Sequence, residues 1–140
     1  MAHHCKALLV QCIDYRLMKG VRTFLDQNSL VGDCDVVSVA GAVKSLADPA
    51  VPAEAEFMLK QIGISHDLHE IKHVILMNHL DCGAYGGSKA FASPEEERTR
   101  HVADLQRTRD VLKQKYPELE VKLVIAKIDD AGAVSFDYVE

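Results

Sequence analysis

Short apolar runs alternating with segments of helical spacing constrain this chain more than any other feature. They commit it to a mostly parallel sheet with crossover helices. Residues 7–12 are nearly continuous in apolar side chains, as expected of a strand covered on both faces. Residues 17–26 carry Leu17, Met18, Val21, Phe24 and Leu25, a helical spacing. Residues 35–39 read as a second strand, running into the small-residue turn Ala40-Gly41-Ala42, where backbone can approach a neighbour closely. Residues 53–62 read as a helix closed by Gly63. Residues 73–78 form a third strand, and 83–87 a flexible connection. Ser93-Pro94-Glu95-Glu96 supplies a cap, a first-position proline and acids for the first turn. A helix from there runs to Tyr116, where Pro117 stops it. Residues 121–126 are a fourth strand, and a tight turn at 129–132 leads into 134–139 as an antiparallel edge. The expected architecture is one layered α/β domain over residues 1–140.

Bulk properties exclude some classes of function. The net charge of −5 comes without a basic cluster, and Trp is absent, so no nucleic acid partner is expected. The N-terminal residues lack the apolar stretch of a signal peptide or membrane span, so the expected location is cytoplasmic, with no membrane partner. Thiols stay reduced there. Cys5, Cys12, Cys34 and Cys82 therefore read as metal ligands or core residues before disulfides.

Two motifs follow strands. Cys12-Ile13-Asp14-Tyr15-Arg16 closes the first strand, and His79-Leu80-Asp81-Cys82-Gly83 follows the third. In a parallel sheet the functional crevice lies beyond the carboxyl ends of the strands. If strands one and three are neighbours, Cys12, His79 and Cys82 meet there as two thiols and an imidazole, a set suited to zinc with one open position. Asp14 and Arg16 lie two and four residues beyond Cys12. A carboxylate there can accept the proton of an activated water, and Arg16 can hold Asp14 ionised and off the metal in a bidentate pair. Neither motif alone is specific, but together they are.

The pair resembles the signature of the β-class carbonic anhydrases, in a small divergent member without the N-terminal helical arm. The resemblance implies zinc on Cys12, His79 and Cys82, with Asp14 and Arg16 as the catalytic dyad. It implies a three-layer α/β fold and a homodimer or higher homo-oligomer with active sites near the interface. Val39-Ala40-Gly41 echoes the family's Asn-Ala-Gly turn, with Val39 in place of Asn. The implied reaction is reversible hydration of carbon dioxide to bicarbonate, with Tyr85 and His101 as shuttle candidates by chemical type. Two other readings use the same ligands: hydrolysis of carbonyl sulfide or carbon disulfide, and a non-catalytic zinc protein in which Asp14 closes the site. His66, His69 and His73 read as solvated surface, since a helix ending at Gly63 leaves them no common face. Cys5 and Cys34 are expected to be incidental, and Glu95-Glu96-Glu97 a helix-start dipole effect.

Overall fold

A computed structural model describes residues 3–140. Five strands form one sheet in the order β2-β1-β3-β4-β5: β1 (Ala7–Gln11), β2 (Cys34–Ser38), β3 (His73–His79), β4 (Glu120–Ile128) and β5 (Val134–Val139). All neighbours pair parallel except β4 and β5, so the antiparallel edge falls where the 129–132 turn predicts it. The sheet is the middle of three layers. On one face Leu8, Val10, Val74, Leu76, Leu123 and Ile125 pack beneath α3 (Pro52–His69) and α4 (Pro94–Lys115), with the short α2 (Lys44–Ala47) beside them. On the other face Leu9, Ile75, Met77 and Val124 pack against Leu17, and against Val21 and Phe24 of α1 (Met18–Gln27). The central strands are buried on both sides, which is why they read as continuous apolar runs.

Helix α4 starts as expected, with the Ser93 hydroxyl accepting the Glu96 N–H at 3.1 Å and Pro94 in the first turn. Two expectations are corrected. Helix α3 does not end at Gly63 but runs to His69, and Glu70, at φ 51°, ends it in the left-handed conformation. Gly63 is there for space: a Cβ at that position would meet the Tyr116 hydroxyl at 3.0 Å. The cost of a mid-helix glycine, about 1 kcal/mol, is smaller than the packing of Met58 and Ile62 that holds the helix on the sheet. Residues 83–87 are not a flexible connection either. They begin a pair of 3₁₀ turns, Gly83–Tyr85 and Ser88–Ala90, tied by the Gly87 N–H to the Cys82 carbonyl at 2.9 Å.

The longer α3 changes the reading of its histidines. His66 bonds Asp67 through Nδ1 at 2.8 Å and Glu118 through Nε2 at 2.6 Å, and both carboxylates raise its pKa. A group whose pKa rises on folding contributes stability that is complete below its unfolded value, about 6.5, and is lost as pH climbs through the folded value. The stability gap between wild type and His66→Gln should therefore be widest near pH about 5.5 and close at alkaline pH. Urea unfolding at the two pH values checks this; an equal gap at both would remove the ion pair from the stability of α3.

Gly20 is where α1 meets β5, and a Cβ there would lie 2.5 Å from Val134 Cβ. Gly20→Ala gains about 1 kcal/mol of helix propensity but overpacks the contact by about 1–3 kcal/mol, so it should destabilise on balance. Val134→Ala should rescue it only in part, because it removes the Cγ2 contact at 2.8 Å but keeps the Cβ at 2.5 Å. Denaturant midpoints of the single and double variants decide the point.

Candidate metal centre

Strands β1 and β3 are neighbours, with Leu9 opposite Ile75 and Val10 opposite Leu76. Their carboxyl ends therefore open side by side. Cys12 follows β1, His79 ends β3, and the first turn after β3 brings Cys82 back. One donor atom from each lies within 4.8 Å of the others, and all three residues are buried, at 6 %, 1 % and 1 % exposure. The two sulfurs are 3.9 Å apart. Two thiolates on a tetrahedral zinc at about 2.3 Å each would be about 3.8 Å apart, so the pair already has the needed span.

Hydrogen bonds hold the three donors in place. His79 Nδ1 donates to the Leu80 carbonyl at 2.8 Å, which fixes the ring. Its Nε2 is buried with no hydrogen-bond partner among the described residues and lies 3.7 Å from Asp14 Oδ2. An orphaned buried nitrogen beside two sulfurs is what a metal ligand looks like without its metal. Charge agrees. The two sulfurs share one hydrogen bond, which together with His79 and the Gly41 N–H (3.4 Å) lowers the Cys12 pKa against the cost of burial. The Cys82 pKa rises in turn. Burial opposes a charge on His79, yet the Cys12 sulfur, the Leu80 carbonyl and the Asp14 carboxylate together outweigh it and raise the pKa. The cavity favours a positive charge at the point where the donors converge, so these residues fit a zinc-class ion.

Asp14 and Arg16 stand at the rim. Asp14 caps the 3₁₀ turn Tyr15–Leu17, accepting the Arg16 N–H at 2.9 Å. The Arg16 guanidinium grips the carboxylate through Nε (3.1 Å) and Nη2 (2.7 Å), and this contact holds the Asp14 pKa low. Arg16 also reaches across the mouth to the Asp81 carbonyl at 3.1 Å and its carboxylate at 3.3 Å. Asp14 is not among the converging donors. Behind it lies a cavity of about 190 Å³, walled by Cys12, Asp14, Leu17, Met18, Val21 and Leu25 among others.

Three supporting residues escaped sequence reasoning. Asp81 sits at φ 58°, held by the Ser88 N–H on its carboxylate (2.9 Å) and by its own N–H on Glu97 Oε2 (2.7 Å). Glu97 is thus more than a helix-start charge: it is buried, and it also accepts the Ser88 hydroxyl at 2.8 Å. Asn78 points to the opposite face from His79. Its carbonyl accepts the Val43 N–H at 3.3 Å, and its amide donates to the Tyr85 hydroxyl (3.1 Å) and to His101 Nδ1 (3.0 Å). A polar residue ending a buried apolar strand was the available signal. Tyr85 donates on to Asp104, and His101 is fully buried, its pKa pushed down to about 4 by that burial. Neither reaches solvent as a proton shuttle would.

A family model described as "Putative carbonic anhydrase" matches residues 2–135. Uncharacterized proteins of Rickettsia conorii and Rickettsia bellii are each 30% identical over 130 residues, covering 91% of this chain and 70% and 79% of theirs. Among solved structures, the carbonic anhydrase from Glaciozyma antarctica superposes with a TM-score of 0.59 at 19% identity, over 97% of this chain and 83% of that one. The β-carbonic anhydrase CcaA gives 0.63 at 17% identity, over 99% and 78%. Tetrameric β-carbonic anhydrases from Sordaria macrospora give 0.55 at 15%, over 99% and 84%. These structural likenesses concern the fold: a mostly parallel sheet with one antiparallel edge pair.

Asn78 joins the turn after β2, strand β3 and the turn after Cys82. Asn78→Ala should cost about 1–3 kcal/mol for each buried partner it leaves unpaired. Denaturant unfolding measures it, and a loss below about 0.5 kcal/mol would show that Asn78 does not tie these segments together.

Proposed function

We propose a function for this chain from one premise: it belongs to the β-carbonic-anhydrase-like family, as a divergent member. It hydrates carbon dioxide reversibly to bicarbonate and a proton, with zinc on Cys12, His79 and Cys82 and with Asp14 and Arg16 as catalytic residues. The observation that carries this reading is the orphaned Nε2 of His79 beside the paired sulfurs, with Asp14 held back from them.

When bound, the zinc supplies Lewis acidity that makes water a nucleophile near neutral pH. The protein does the rest. The Leu80 carbonyl fixes the His79 ring, leaving Nε2 as the nitrogen that would hold the ion. Arg16 keeps Asp14 ionised and off the metal, which leaves one coordination position open. The Asp14 carboxylate accepts a hydrogen bond from the attacking water and orients its lone pair toward the substrate carbon. The cavity beside Cys12 and Asp14 has room for a molecule of carbon dioxide's size and offers it the side chains of Leu17, Val21 and Leu25. The proton released leaves to buffer.

The hold of Arg16 on Asp14 favours the catalytic reading over a zinc protein closed by Asp14. Carbon disulfide and carbonyl sulfide fit the same chemistry, and sulfide release in a parallel assay separates them. The protein works as one domain over residues 1–140, in the cytoplasm, where its four cysteines stay free. It works as a homodimer or higher homo-oligomer. Support for assembly comes from Ile13, Tyr15 and Met18, which expose 62 %, 82 % and 74 % of their surface beside the site mouth. No helix among the described residues is long and apolar enough to cross a membrane.

Stopped-flow hydration by the zinc-loaded protein tests the reading, and inactivity across pH sinks it. Asp14→Asn and Arg16→Ala should each lower kcat by about 10²-fold or more while zinc content stays unchanged. Full activity in either variant removes that residue from the mechanism. Chelation of the zinc should abolish turnover and its return restore it.

A further inference from the structure

We propose that Cys5, Asp35 and His69 form a second metal site, for a divalent ion of the zinc class, at the amino end of the sheet. It lies at the opposite end from Cys12, His79 and Cys82, and does not depend on the function assigned to them. One donor atom from each of the three residues lies within 4.8 Å of the others. They come from three separate elements: the segment entering β1, strand β2 and the last turn of α3.

The backbone holds this grouping. The Cys5 N–H donates to the His69 carbonyl at 3.1 Å, and β1 is paired in register with both β2 and β3 immediately beyond. Strand alternation then sorts the two neighbouring thiols and the carboxylate. Cys34 packs with the α1-side core, whereas Asp35 turns to the other face, where Cys5 packs and Ser65 and His69 of α3 meet it.

The donor set is sulfur, nitrogen and oxygen, which suits zinc or cobalt and is wrong for magnesium or calcium. The surroundings are arranged as metal sites arrange them. The Ser65 hydroxyl donates to Asp35 Oδ2 at 2.6 Å, orienting the carboxylate from behind. His69 Nδ1 donates to the same oxygen at 2.6 Å, so the two donor atoms already face each other and an ion enters by displacing that proton as they move apart. On binding, the Cys5 thiol gives its proton to solvent, and the ring proton of His69 moves to the nitrogen facing away from the ion. All three residues are half-buried, so one coordination position faces water. Such an ion staples the entering segment, edge strand β2 and the end of α3 together, and stabilises the fold by mass action.

The test is metal stoichiometry on the full chain. Metal-depleted protein is titrated with cobalt and followed by its thiolate charge-transfer and visible bands, and zinc is counted by atomic emission after gel filtration. Wild type should hold two ions per chain. Cys5→Ser and His69→Ala should each reduce two to one. In a Cys12→Ser/Cys82→Ser protein one ion should remain, with a zinc-dependent rise in Tm that His69→Ala abolishes. If the carbonic anhydrase reading fails but this one holds, that single ion survives alone. One ion in wild type, unchanged by Cys5→Ser, overturns the site. So does a second ion lost on replacing His3 and His4 but kept without His69, since that is chelation by the N-terminal imidazoles. Circular dichroism confirms that each variant folds, and should the double serine variant fail to fold, the two-to-one change in Cys5→Ser decides the question alone.

Discussion

The parallel pairing of β1 with β3 is the constraint on which the rest depends. Strand β2 lies on the far side of β1, so the chain leaves β1 in one direction and returns for β3 in the other. The loops after these two strands therefore part, and a crevice opens between them. Register decides what fills it. Leu9 faces Ile75 and Val10 faces Leu76, with Leu8, Leu9, Val10, Val74, Leu76 and Met77 all fully buried. A slip of one residue would exchange the two faces of β3. Asn78 would then enter the crevice and His79 would turn toward α4. The choice of imidazole over amide beside Cys12 is thus made by apolar packing some residues away, not by any interaction of His79 itself.

Electrostatics shapes the crevice mouth once register has placed the donors. The Asp14 carboxylate lies 3.7 Å from His79 Nε2 beside the two buried sulfurs, and gathering negative charge at such a place costs energy without positive charge nearby. Arg16 supplies that charge from the rim, and through Asp81 it links the two motif loops. Asp81 adopts a left-handed conformation that costs about 1–2 kcal/mol in most residues and less in Asp. Bonds from Ser88 and Arg16, and to Glu97, hold it there. The strain sits in the loop that positions Cys82, so the backbone around that thiol is determined by polar contacts as well as by the core.

Strands and motifs were legible in the sequence because their signals are local. Apolar runs marked each central strand, and Cys12, His79 and Cys82 could be brought together once strand adjacency was assumed. Gly63 misled for a physical reason. Its role is to make room for Tyr116, whose hydroxyl arrives from more than fifty positions away, and a glycine kept for space looks the same as one that ends a helix. Glu97 was half legible: its place at a helix start is a sequence property, whereas its bonds to Asp81 and Ser88 exist only once the loop folds. Cys5, Asp35 and His69 carry no motif, because their spacings merely count the lengths of the elements between them.

The two ends of the sheet treat the same kinds of side chain differently, and connection length explains why. At the carboxyl ends, residues 80–93 after β3 fold into two 3₁₀ turns, while 12–17 and 39–43 close over Cys12 from the other side. Those segments have enough chain to bury three donors and to carry Asp14 and Arg16 above them. At the amino ends the links are shorter: residues 28–33 lead into β2, 70–72 into β3 and 116–119 into β4. Links that short cannot double back over the strand ends. Cys5, Asp35 and His69 therefore stay half in water, and the second site proposed there would exchange its ion with solvent. The zinc proposed at the opposite end would be enclosed by those longer segments, and charge developed in such a dry site is stabilised far more strongly than in an open one.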